Sequence, residues 1–129
     1  MNQKILIVDD SPAARMIARR CLRIAGSQDV EFLEAEHGRA ALQVLEEHDV
    51  NLVVVDLNMP VMDGHTLIRF MRSSLRLQGI PVVVVSSLVN EAKIDSLKKL
   101  GATLVLRKPL SPACIRQVLV ELQSLEGAA

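Results

Sequence analysis

A chain of 129 residues is long enough for one well-packed domain, and a hydrophobic share of 50% argues against disorder. Fifteen basic and fifteen acidic side chains cancel, which removes any global pull toward nucleic acid or anionic lipid, and two phenylalanines with no Trp or Tyr leave no platform for stacking bases. No apolar run approaches the roughly 20 residues that span a bilayer, and strand-like sequence from Lys4 displaces the layout of a signal peptide. Strand one is expected over 4–8, after which Ser11 caps a helix with Pro12 in its first turn, running to about Ala25 and stopped by Gly26. Residues 30–35 read as a less apolar strand near an edge, and 39–48 as a helix with Ala41, Leu42 and Leu45 inward. Strand three is expected over 51–55, and helix three after Gly64 with Leu67, Ile68 and Met71 inward. Strand four runs from Val82 to Val85 behind Pro81, and helix four over about 91–100, ended by Gly101. Strand five covers 103–106, and Ser111-Pro112 opens a last helix with Ile115, Val118, Leu119 and Leu122 on one face.

Near-continuous Val/Leu/Ile strands alternating with helices indicate an α/β fold with a parallel sheet buried on both faces. No repeat, low-complexity tract or linker divides the chain, so residues 1–129 are expected to form a single domain with no output domain attached. Cys21 and Cys114, both in amphipathic helical segments, are expected as buried free thiols of a reducing cytoplasm.

Several strand ends carry chemistry-bearing residues. Asp9 and Asp10 follow the first apolar run, Asp56 closes the third, Ser86 closes the fourth and Lys108 lies just past the fifth. In an open parallel sheet these ends converge on the edge where ligands bind. Three carboxylates there repel one another when ionised, and a hard divalent cation, Mg²⁺ or alternatively Mn²⁺, relieves that repulsion with oxygen-only ligands. Asp10 is expected to lie the deeper of the pair, with Asp9 binding through water. A strand-end Asp commonly just caps a turn. For Asp56 the loop Asn58, Pro60, Asp63 and Gly64 beside the other acids favours a carboxylate nucleophile toward phosphorus. Lys108 is placed to neutralise a developing phosphoryl charge, and the Lys108-Pro109 bond is a candidate for the cis form that would aim it. Ser86 is placed to donate its hydroxyl to a phosphoryl oxygen, although alone it would read as a turn hydroxyl bonding nearby backbone.

These residues, in this order and with Asp56-Leu-Asn-Met-Pro-Val-Met-Asp-Gly64 and Lys108-Pro109, resemble the receiver domain of two-component response regulators over residues 4 to about 123. The loop after Asp56 is especially similar to that of stand-alone, chemotaxis-type members. The resemblance implies a doubly wound, flavodoxin-like (βα)5 fold with five parallel strands in the order 2-1-3-4-5. It implies that Asp56 accepts a phosphoryl group from a sensor histidine kinase, with Mg²⁺ held by Asp10, Asp56 and the backbone carbonyl of Asn58, and Asp9 assisting. Lys108 would pair with the phosphoryl group and Ser86 would move toward it. Output would pass to a partner protein at the face of helix four, strand five and helix five, from a monomeric cytoplasmic protein that binds neither nucleic acid nor membrane.

The chain departs from the family pattern at two places. Val105 stands three residues before the lysine, where well-known members carry Tyr or Phe, so a rotating ring cannot operate here. Leu88 occupies a position that in the family often tunes how fast water removes the phosphate. On helix one, Arg15, Arg19 and Arg23 recur every four residues with Arg20 alongside. Such a stripe is normally a solvated face, but beside an acidic crevice it suits docking of a sensor histidine kinase or histidine phosphotransfer protein. Two other functions compete. A phosphatase of the haloacid-dehalogenase type needs a second acid two residues past the nucleophile, where this chain has Asn58, so enzymatic turnover is not expected. A phosphate-independent interaction module would have no use for the intact acid cluster with Lys108 and Ser86.

Overall fold

The computed structural model describes residues 3–26 and 29–127, with side chains through residue 120. Five strands alternate with five helices: β1 (Gln3–Val8), α1 (Pro12–Ala25), β2 (Val30–Ala35), α2 (Gly38–Glu47), β3 (Leu52–Asp56), α3 (Gly64–Ser73), β4 (Val82–Ser86), α4 (Glu91–Leu100), β5 (Leu104–Arg107) and α5 (Pro112–Gly127). The strands pair in the order β2-β1-β3-β4-β5, every neighbouring pair parallel, as the resemblance implies. From β1 the chain first moves to one side to make β2, then reverses to the other for β3 through β5. The C-terminal ends of β1 and β3 therefore border the switch point where such sheets open a crevice.

Period-two alternation divides the strands between two cores. Ile5 and Ile7 of β1, with Val54 of β3 and Val83 and Val85 of β4, pack against Ala18, Cys21 and Leu22 of α1 and Ile115 and Val118 of α5. Leu6, Val8, Val53, Val55, Val82 and Val84 face the other way, onto Ala41 and Leu45 of α2, Leu67, Ile68 and Met71 of α3 and Leu97 of α4. Burying each of these Val, Leu or Ile side chains contributes about 1.5–3 kcal/mol before chain entropy is set against it. The less apolar second strand lies at the sheet edge, as expected. Leu122 falls outside the residues whose side chains are described.

Helix starts follow capping chemistry. Ser11, Asp63 and Asn90 each accept a hydrogen bond from the backbone N–H three residues on, and His37 does the same through Nδ1 toward Ala40. That histidine cap starts α2 at Gly38, one residue before the sequence expectation. Gly26 ends α1 in an extended conformation with φ −110°, so its stop does not use the left-handed region. Gly101 does, at φ +129°, and Arg72 donates to its carbonyl and to those of Gln78 and Ile80, tying the end of α4 to the approach to β4. Cys21 is buried and Cys114 only half-buried, both as free thiols. No helix among the described residues is long and apolar enough to cross a membrane.

Candidate functional site

The β1 ladder outlasts the strand by one residue, because the Asp9 N–H donates to the Ala35 carbonyl at 3.1 Å. That bond carries Asp9 inward, at 6% exposure, while Asp10 turns out into solvent. The expected depths of the pair are thus reversed: Asp9, not Asp10, is the deep acid. Asp9 Oδ1 accepts the Ser11 N–H at 3.0 Å and its Oδ2 accepts from Lys108 Nζ at 3.1 Å. Arg15 of α1 donates to the Asp9 carbonyl, which fixes the backbone at this corner.

Asp56 ends β3 between β1 and β4. Its Oδ1 accepts the Leu57 N–H at 2.8 Å, and its Oδ2 lies 3.5 Å from Lys108 Nζ. The start of α3 presses against this corner. A Cβ on Gly64 would sit 2.6 Å from the Asp56 carbonyl oxygen, so only glycine lets the helix approach so closely. Lys108 is anchored by its own N–H, which donates to the Ser86 carbonyl at 2.9 Å, and its peptide bond to Pro109 is cis. One ammonium therefore bridges two carboxylates at the ends of two adjacent interior strands, β1 and β3.

The electrostatics follow from this placement. Burial pushes the Asp56 carboxyl above the ordinary carboxylate range; Lys108 opposes that and the Asp9 charge adds to it. For Lys108, burial alone would lower the ammonium, but the hydrogen bond and charge of Asp9, with those of Asp56, outweigh it and raise the group. One oxygen from each of Asp9, Asp10 and Asp56 lies within 4.8 Å of the others. Three carboxylates from one small volume, with Asp10 open to water, fit a hard divalent cation that keeps several waters. Asn58 lies exposed in the loop two residues beyond Asp56.

Ser86 is buried at the end of β4 but is not hydrogen-bonded to the acids or to the Lys108 side chain. Its Oγ accepts the Leu88 N–H and donates to the Leu88 carbonyl, both at 3.3 Å, the turn arrangement named above as the plainer reading. A third partner was not legible beforehand: Lys93 Nζ of α4 donates to the same Oγ at 3.2 Å. Val105 is half-buried in β5, opposite Val84. The arginine stripe is partly neutralised: Arg15 and Arg19 both pair with Glu34 of β2, at 2.9 and 3.2 Å, and the Arg23 guanidinium lies 5.3 Å from the Phe32 ring centroid. Between α1 and the turn after β5 an apolar cleft of about 280 Å³ opens beside the carboxylates, walled by Ile7, Ala14, Ile17, Ala18, Pro109 and Leu110.

Residues 5–120 match the family profile of the response regulator receiver domain. The chain belongs to that family. It is 34% identical over 130 residues to a chemotaxis protein CheY homolog of Campylobacter jejuni, covering 98% of each chain. The structure is similar to that of chemotaxis response regulator CheY4 of Vibrio cholerae, with a TM-score of 0.83, 28% identity, and 94% of this chain and 98% of that chain covered. It is similar as well to the Mn²⁺-bound form of response regulator Rcp1, with a TM-score of 0.74, 26% identity, and 95% and 92% covered. The receiver fold, the acidic pocket and the signalling class follow from this membership, and Asp9, Asp10 and Asp56 form that pocket here.

Proposed function

We propose that this receiver domain takes a phosphoryl group on Asp56 from a histidine of a sensor kinase or phosphotransfer protein, and that the modified domain changes its binding to an output protein. The observation that carries the reading is Lys108 Nζ lying between Asp9 and Asp56, at 3.1 and 3.5 Å. Asp56 is the member of that set held at a central strand end with one oxygen fixed by Leu57 and the other turned toward the ammonium. That second oxygen attacks phosphorus, the P–N bond of the donor breaks, and the imidazole nitrogen keeps the electron pair. Lys108 then hydrogen-bonds a phosphoryl oxygen, and Asp9, already paired with Lys108, keeps it in place. A Mg²⁺ or Mn²⁺ ion held by Asp9, Asp10, Asp56 and the Asn58 carbonyl would supply positive charge for the transferring group. The product is a modified protein rather than a turned-over substrate, since Asn58 cannot serve as a second acid.

The donor meets the α1 side of the crevice. The apolar cleft there, half-exposed Ile17 at its wall and the arginines along α1 support this choice, although Glu34 takes up part of the Arg15 and Arg19 charge and so weakens long-range steering. Intact mass after incubation with Mg²⁺ and a small acyl-phosphate donor tests the reading. One addition of about 80 Da (one phosphoryl group) is expected, lost in Asp56→Asn and in chelator. Full labelling of Asp56→Asn would overturn the assignment.

A further inference from the structure

The contact between Lys93 and Ser86 is not used by the phosphoryl-transfer reading. Lys93 is the third residue of α4, and its backbone N–H donates to the side chain of the N-cap Asn90 at 2.8 Å. Capped helices favour Glu or Gln at that third position, because it reaches back to the cap N–H and suits the positive end of the helix. An ammonium is disfavoured there, and among the described residues no carboxylate lies within ion-pair distance of it. Its tip instead crosses to β4, 3.2 Å from Ser86 Oγ. Local helix chemistry does not explain this lysine, and such departures concentrate at functional positions.

The bonding at Ser86 leaves one group able to move. Oγ accepts from the Leu88 N–H and from Lys93 Nζ, so both lone pairs are engaged, while its proton goes to the Leu88 carbonyl. The proton can turn to a new acceptor without releasing Lys93. Ser86 lies one residue beyond Val85, the register partner of Asp56 on the neighbouring strand.

We propose that Lys93 is the positioning residue that carries phosphorylation of Asp56 from Ser86 into α4. The inference rests on Asp56 being phosphorylated as proposed above. Phosphorylation replaces the single charge of the Asp56 carboxylate with about −1.5 to −2 carried on three phosphoryl acceptor oxygens, on the strand beside Ser86. The Ser86 proton turns from the Leu88 carbonyl to one of those oxygens, and Oγ shifts toward the crevice. The Lys93 ammonium follows, held by its bond to Oγ and drawn by the new negative charge. Because the Lys93 backbone is fixed to the Asn90 cap, the pull is delivered to the first turn of α4. The remaining ties of this loop, Arg107 to the Val89 carbonyl at 3.0 Å and the Lys108 N–H to the Ser86 carbonyl at 2.9 Å, come from the β5 end and define what the loop moves against. A polar link thus does the work for which Val105, with its single stiff rotor, has no ring.

The test uses the full ¹⁵N-labelled chain with Mg²⁺ and beryllium fluoride as phosphoryl mimic. Amide shift changes of residues 90–97 are compared in wild type, Lys93→Met, Ser86→Ala and the double variant, and Asp56 labelling by an acyl phosphate is measured on the same samples. Lys93→Met should label within about twofold of wild type yet lose at least half of the α4 response, Lys93→Arg should retain it, and the double variant should lose no more than either single change, because the two residues form one link. A full α4 response in Lys93→Met, or losses that add in the double variant, overturns the inference alone. Absence of label on wild-type Asp56 overturns the underlying reading, and the inference with it.

Discussion

β3 and β5 are both parallel strands of one sheet, yet they are held very differently. β3 is buried from Leu52 to Val55 between β1 and β4, and Asp56 at its end has each carboxylate oxygen engaged or faced. β5 is an edge strand with no fully buried residue, and it ends in exposed Arg107. Phosphoryl chemistry needs groups held to a fraction of an ångström, which dense packing supplies. A readout needs a segment whose alternative positions differ little in free energy, and such segments come from the sparsely packed parts of a fold. Asp9 and Asp56 sit on the first kind of support, and Lys108 reaches them from the end of β5, where its N–H is tied to the Ser86 carbonyl of β4. Ser86 lies at the boundary, buried itself but bonded to an exposed loop and to α4.

The strongest way to break this contrast is to remove the ammonium that joins the two central acids. Lys108→Met leaves Asp9 and Asp56 facing each other, and in chelator it should cost about 3 kcal/mol, the low end for breaking a buried pair because Lys108 remains 31% exposed. Saturating Mg²⁺ should recover most of that loss. A urea midpoint equal to wild type in chelator would mean that the lysine does not hold this edge together.

A register pair sharpens the same contrast. Val84 is 0% exposed and lies opposite half-buried Val105. Val84→Ala should cost about 2 kcal/mol and Val105→Ala about 1 kcal/mol or less, since only the first leaves a closed cavity. Equal costs would contradict the division between central and edge strands.

The loop that follows Asp56 stores strain. Val61 adopts φ +67°, a region that a β-branched residue disfavours, and its side chain is 73% exposed and packs on little. Val61→Gly should raise stability by about 1 kcal/mol, read from the denaturation midpoint. A loss of that size would show that the valine side chain matters more than its backbone.

The smallest effect concerns the cap of α3. The Thr66 N–H bond to Asp63 holds that carboxyl below its ordinary range. A depressed native pKa means that the contribution is complete above the unfolded value and disappears as pH falls through the native one. Asp63→Asn keeps the cap without the titration. The stability advantage of wild type over this variant, a few tenths of a kcal/mol at pH 7, should therefore shrink and vanish as pH falls through the lowered native pKa of Asp63. A gap that widens on acidification would reverse the sign.

Strands were legible because both faces of the sheet are covered, so β1, β3 and β4 read as unbroken apolar runs, and the residues that end them mark the crevice. Pairing across elements was not legible. Nothing in the spacing of Arg15 and Arg19 shows that Glu34 from β2 reaches both, and the relative depth of Asp9 and Asp10 depends on one further ladder bond to Ala35. The His37 cap escaped because histidine is uncommon among capping residues. A signal for Lys93 was available, a cation where an N-capped helix favours an acid, but its partner on β4 emerges only in three dimensions.

The most direct test of the central claim is to locate the phosphoryl group by its own chemistry. An acyl phosphate on aspartate is reduced by borohydride to homoserine, so peptide mapping after labelling and reduction reports which carboxyl carried it. Conversion at position 56 and at neither Asp9 nor Asp10, dependent on Mg²⁺, is the predicted result. Conversion at Asp9 or Asp10, or none at position 56 in a protein whose mass shows the addition, would contradict it.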